Sequence, residues 1–127
     1  MFQNLFNTIY VHVLKDAFLL QHVQEDRSLK ITSDVPFSSD RLVVGNYTIA
    51  TEVLSKGLKE LKSTKFGVLA PIIVMHPKHL CEGGLSQIEH RAISEVARAA
   101  GAKKVHVWEG DNLSREQLLK GEYKTKN

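Results

Sequence analysis

Six histidines and one cysteine are the side chains best suited to chemistry, and their spacing narrows what they could do. His76, His79 and Cys81 fall close together with His90 beyond them, and imidazole and thiolate both bind zinc. Their intervals match no closed-site pattern, so the sequence predicts no metal centre. Cys81 has His79 nearby but also Glu82, whose charge disfavours the thiolate, and no nucleophile is assigned. His12, His76 and His106 fall in or beside apolar segments that read as neighbouring strands. Such a set is either a proton switch near the ordinary imidazole value of about 6.5 or a group of hydrogen-bonded, neutral core histidines. Gly83-Gly84 followed by Ser86 stands before a helix start, where backbone N–H groups can cradle an anion. Relief of turn strain explains the two glycines equally well. Gly83, Gly84 and Ser86 are therefore the anion candidates. No Ser-His-Asp order or paired-carboxylate motif stands out, and no cofactor is expected.

The rest of the chain limits the classes of function. Its 127 residues suit one domain with a real core, and 43% hydrophobic with 24% charged residues is a folded composition. Seventeen Lys and Arg against fourteen Asp and Glu leave a net charge of +3. Part of that excess is Lys120, Lys124 and Lys126, in or beside a polar tail expected from about residue 121. Another part is Lys56, Lys59, Lys62 and Lys65 on one expected helix, where cations suit the negative C-terminal end. With no groove-reading motif or aromatic series, nucleic-acid binding is not expected. The longest apolar run, Val68 to Met75, is too short to span a bilayer. Phe2, Leu5 and Phe6 could form an apolar edge, but no Lys or Arg precedes Lys15 to draw anionic lipid, so packing on the domain is expected instead. The start MFQNLF lacks a signal-peptide layout, and a lone Cys81 fits a reducing compartment, so a cytoplasmic location is expected. Asn46-Tyr47-Thr48 and Asn112-Leu113-Ser114 are then only formal glycosylation matches.

The elements that must position these residues follow from pattern. Thr8 to Leu14 is apolar on both alternating sets, which predicts a strand covered on both faces. Lys15-Asp16 predicts a tight turn into a second strand, Ala17 to Val23, and Gln24 to Arg27 a further turn into a short third strand, Leu29 to Ile31. Val35 to Asp40 reads as a loop. Asn46 or Thr48 can cap a helix whose inward positions are Ile49, Val53, Leu54, Leu58 and Leu61, with Gly57 weakening it unless something packs there and Ser63 to Gly67 ending it. Val68 to Met75 predicts the fourth strand and His76 to Leu85 a loop. Ser86 and Glu89 have capping-box spacing, opening a helix with Ile88, Ala92, Ile93, Val96, Ala97 and Ala100 inward and Gly101 as its stop. Val105 to Trp108 predicts the last strand, and Leu113 to Lys120 a short helix. Three meandering strands followed by right-handed crossovers give an α/β fold, a mixed five-stranded sheet of order 3-2-1-4-5 with helices packed on it. That is the ribonuclease H-like plan.

Within this plan, Gln87-Ile88-Glu89-His90-Arg91-Ala92-Ile93-Ser94-Glu95 followed by Ala99-Ala100-Gly101-Ala102-Lys103-Lys104-Val105 resembles the bacterial actin MreB family. There a strand ending in Val-Pro leads to a Gln-Val-Glu-Arg-Arg-Ala helix, then Gly-Ala-Arg-Glu-Val and a strand ending in Glu. Ile73-Val74-Met75-His76-Pro77 and Trp108-Glu109 match those strand ends, and Gly45 to Lys62 looks like the preceding helix. The resemblance is specific from about Ile72 to Glu109 and weak over the first 45 residues. It implies one actin subdomain. The family's Asp-x-Gly-Thr phosphate hairpin is replaced by His12-Val13-Leu14-Lys15, and Glu109-Gly110-Asp111 does not continue as the family's helix. Glu89 falls on the family residue that positions the hydrolytic water, and is the one catalytic candidate; its capping role asks for the same residue type. The resemblance without the phosphate motifs implies a non-catalytic MreB-like protein-interaction domain, with a protein partner or a second copy covering surfaces that other subdomains would cover and a link to cell shape or the cytoskeleton. The alternatives are a ribonuclease H-like enzyme acting on nucleotides or nucleic acid, or a sensor of an anion or other small ligand.

Overall fold

The computed structural model describes residues 7–61, 70–80 and 82–124. Strand β1 (Thr8–Leu14) turns through Lys15 and Asp16 into β2 (Ala17–His22), which turns again into β3 (Arg27–Thr32). Helix α1 (Tyr47–Glu60), β4 (Ile72–Pro77), α2 (Gln87–Ala99), β5 (Lys104–Val107) and α3 (Arg115–Leu119) follow. The five strands form one sheet in the order β3-β2-β1-β4-β5, antiparallel across β1–β2–β3 and parallel across β1–β4–β5. This is the ribonuclease H-like arrangement expected from the sequence.

The two apolar sets of β1 feed separate cores. Ile9, Val11 and Val13 point to the face covered by α1 and α2, with Phe18, Leu20, Ile73, Met75, Leu54 and Ile93. Tyr10 points to the other face, with Val74, Leu113, Leu118 and Tyr123. Asn46 is the N-cap of α1, accepting from the Ile49 N–H. Gly57 lies where α1 crosses the sheet: a Cβ there would meet Ile31 Cγ2 at 3.1 Å and Leu20 Cδ1 at 3.3 Å. The glycine thus weakens the helix locally and permits its close approach to β2 and β3.

Several boundaries differ from expectation for identifiable reasons. His76 and Pro77 belong to β4, not to a loop, because β1 extends the parallel ladder to Val13↔Pro77. Proline is tolerated there because an N–H at residue 77 would point toward β5, whose pairing ends at Met75↔Val107, and the Lys78 N–H continues the pairing to the Val13 carbonyl at 2.9 Å. Pro71 precedes the strand, while Val68 and Leu69 lie outside the described residues, as do Phe2, Leu5, Phe6, Lys62, Ser63 to Gly67, Cys81 and Lys126. β3 is longer than its apolar centre, since β2 pairs with all six of its residues. Ile88 is 78% exposed rather than inward. At 100° per residue it lies about 130° around the helix from the centre of the Ile93, Val96 and Ala97 face. Residues 121–124 of the expected tail are folded onto the domain: Gly121 reverses the chain with φ 75°, and Tyr123 is only 5% exposed, against His106. Among the described residues no helix is long and apolar enough to cross a membrane.

The first turn also anchors the loop before α1. Asp16, at φ 57°, accepts from the Phe37 and Ser38 N–H groups at 2.9 and 2.8 Å, which seats Phe37 on Phe18 with ring centroids 5.0 Å apart. Burial pushes its carboxyl upward, but these N–H groups, the Ser38 side chain and Lys15 together hold it below its ordinary value of 3.8. Its contribution is therefore complete above pH 3.8 and is lost as pH falls through the lower folded value. Asp16→Ala is expected to cost about 1–3 kcal/mol at neutral pH, with Asp16→Asn intermediate. Urea unfolding of both variants against the parent should show the Asp16→Ala difference shrinking toward pH 3; a pH-independent difference would assign the effect to packing instead.

Candidate functional site

The parallel ladder sets His12 directly opposite His76, on the second face of the sheet. Tyr10, two residues before His12, lies on the same face. The Tyr10 oxygen is 2.6 Å from His76 Nδ1, and His76 Nε2 is 3.0 Å from the Gly110 carbonyl. A carbonyl only accepts, so His76 carries its proton on Nε2 and accepts a hydrogen bond from the Tyr10 hydroxyl at Nδ1. The Tyr10 oxygen in turn receives the Leu113 N–H at 3.0 Å. Every polar atom of this chain of contacts is matched, and it ties residues 110–113 to the middle of the sheet.

The environment favours the neutral forms. Burial, then the Lys78 charge, outweigh the Gly110 hydrogen bond and lower His76 to about 4. Burial raises the Tyr10 phenol against the Leu113 contact. His12 stands edge-on to both rings, 4.8 Å from Tyr10 and 5.3 Å from His76, and burial followed by Lys78 lowers it too. The structure separates His106 from this pair. It lies opposite Val74 and packs on Tyr123, with ring centroids 4.9 Å apart. Of the two alternatives for the histidines, the geometry of His76 is that of a hydrogen-bonded neutral core residue. Sequence reasoning missed both Tyr10, whose buried hydroxyl requires a partner, and His22. His22 is 1% exposed, accepts the Glu25 N–H at Nδ1 and donates from Nε2 to Asn7 at 2.8 Å.

The anion candidates lie at the C-terminal end of the parallel strands, the usual ligand end of such sheets. Gly83 and Gly84 adopt φ of 81° and 90° in an exposed turn. Two donors just before α2 already have partners: Leu85 N–H goes to the Glu109 carboxylate at 3.0 Å and Ser86 N–H to the Glu89 carboxylate at 2.7 Å. Ser86 Oγ accepts the Glu89 N–H at 3.2 Å, which completes the capping box. Two of the chain's own carboxylates thus stand where an incoming anion would bind, and Glu89 acts as a cap. The acid nearest to where a phosphate hairpin would lie is Asp16, and it is engaged with Phe37 and Ser38. A hollow of about 190 Å³ between His76, Lys78, Glu109 and Gly110 is smaller than usual ligand pockets. Among the described residues no three His, Cys, Asp or Glu side chains converge for a metal; Cys81 lies outside them.

No family model matches the chain. It is 28% identical over 103 residues to the uncharacterized protein YjaA of Escherichia coli (strain K12), a match covering 77% of this chain and 80% of that protein.

A neutral His76 binds its proton in the unfolded chain before the folded one, so its contribution to stability is full above about 6.5 and declines as pH falls toward 4. In a proton NMR titration the His76 ring signals should stay at their neutral positions down to about pH 5; titration near 6.5 would refute the assignment. Tyr10→Phe strands the Leu113 N–H and should cost about 1–3 kcal/mol in urea unfolding.

Proposed function

We propose that this chain is a non-catalytic protein-interaction domain, an MreB-like actin subdomain that acts in the cytoplasm by holding a partner rather than by turning over nucleotide. Two features support the reading. The polar side chains at the ligand end of the sheet, Asp16, Glu89, Glu109 and His76, are engaged in holding the chain's own loops. The observation that carries it lies at the other side of the molecule. β3 is an edge strand, and the Ser33 N–H bond to the Asp16 carbonyl fixes the phase of its ladder. By that phase Ser28, Lys30 and Thr32 direct their backbone N–H and C=O groups away from β2, along the open edge.

Beside that edge runs a groove of about 330 Å³ between the end of β3 and α1. Ile31 and Val35 form one wall, and Ile49, Val53 and Lys56 the other, with Val35 54% exposed. An extended segment of a partner protein can pair with the β3 backbone and lay alternate apolar side chains into the groove, the mode of strand addition. Natural proteins blunt or cover such edges, and a partner strand would cover this one. The resemblance directs the search for that partner to proteins of the bacterial cytoskeleton and envelope.

Affinity purification from lysate with mass-resolved chromatography tests the proposal. The unmodified chain should carry a stoichiometric protein partner, or a second copy, that both Val35→Glu and Thr32→Pro release. Val35 is exposed, and a proline at position 32 removes an outward N–H without touching the β2 ladder, so both variants should melt within a few degrees of the parent. A bare monomer, or a complex indifferent to both variants, would overturn the proposal.

A further inference from the structure

A second surface carries chemistry that neither the ligand end of the sheet nor the β3 groove uses. At the N-terminal ends of the parallel strands, the turn after α3 folds back over the starts of β1, β4 and β5 and leaves a cleft of about 510 Å³, within the range of small-molecule sites. Lys103, Lys104, Lys120 and Lys124 line it, and among the described residues no carboxylate does. Glu116 approaches Lys120 at 3.4 Å along α3, but both side chains are largely exposed and such a pair is weak. The floor is ordered. Gln24 accepts the Thr8 N–H at 2.8 Å and donates to Thr8 Oγ1 at 3.0 Å, and the Thr8 side chain also meets the Tyr123 hydroxyl. Ile72 and Leu119 supply an apolar wall beside it.

The Lys104, Lys120 and Lys124 charges around one concavity repel one another, and the repulsion is relieved when a multiply charged anion enters. Burial chiefly lowers the neighbouring His106, and Lys104 and Lys124 lower it further, so the field reaches the groups behind the cleft. Lysine's long stems allow the ammonium groups to close on a chain of phosphates without a preformed fork.

We propose that this cleft binds the polyphosphate chain of a small molecule, with Lys104 and Lys124 as principal contacts and Lys103 and Lys120 closing around it. Its position is at the opposite end of the sheet from Gly83, Gly84 and Ser86, so it is a separate site.

Isothermal titration of the full chain with sodium tripolyphosphate, at low and at physiological salt, tests this. Saturable one-to-one binding is expected, weaker at the higher salt. Lys104→Gln with Lys124→Gln should weaken it by about tenfold or more, equivalent to about 1.4 kcal/mol, whereas Lys30→Gln with Lys59→Gln, which removes the same charge elsewhere, should change it by less than about twofold. All four positions are exposed, so melting temperatures of the free variants should match the parent. A parallel titration with a nucleoside triphosphate separates the ligand sources: tighter binding assigns the Ile72 and Leu119 wall to an organic body, and equal binding assigns recognition to the phosphates alone. Absence of saturable binding, or equal weakening by the two variant pairs, would overturn the proposal.

Discussion

The rest of the structure depends on β1 lying between an antiparallel and a parallel neighbour with both of its faces buried. That position leaves no outward side for polar residues, so the Thr8 and Tyr10 side chains find their partners inside, whereas the buried Nε2 of His12 has none among the described residues. Tyr10 is satisfied by His76 and Leu113, and through His76 by Gly110. The consequence is architectural: the segment from 108 to 124, which has only a five-residue helix, can close the second face of the sheet because it is hydrogen-bonded to the centre of it. Arg115 adds a second attachment, donating to the Val23 and Gln24 carbonyls at the end of β2. The opposite face needs no such polar fastening, since α1 and α2 cover it with continuous apolar surface.

The same economy governs the end of the sheet where an actin-type fold would hold phosphate. Four backbone donors there have internal acceptors: Glu109 for Leu85, Glu89 for Ser86, Asp16 for Phe37 and Ser38. Carboxylates at a helix N-terminus are favoured by the dipole, and here they stabilise loops instead of positioning a metal or water. The surfaces assigned to the proposed partner and ligand lie elsewhere: the open edge of β3 beside α1, and the lysine-lined cleft beneath α3.

Much of this was legible in the sequence because it rests on local rules. The two-sided apolar pattern of β1, the turn at Lys15 and Asp16, a helix cap at Asn46 or Thr48 and the Ser86–Glu89 capping box each follow from residue type and spacing, and together they led to the strand order. Apart from Ile88, the failures share a cause, which is dependence on distant partners. His76 and Pro77 read as the start of a loop running to Leu85, yet β1 supplies the ladder that holds them as strand. Tyr123 read as tail because lysines surround it, yet His106 and Thr8 give it a buried seat. Ile88 read as core because it is apolar, although helical phase placed it outward. The site was less legible than the fold for the same reason. The histidines were recognised as a set, but whether they switch or pack depends on Tyr10, Gly110 and Leu113, which no local motif connects.

The central claim is that a partner is held along the β3 edge and not at the end of the sheet where Glu89 and the paired glycines lie. Hydrogen-exchange mass spectrometry on the complex recovered from lysate, set against the free chain, addresses it most directly. The account predicts slowed exchange at the outward amides of residues 28–32 and through 33–35, with smaller effects in α1. Protection confined to residues 82–90, with the β3 edge unchanged, would contradict it.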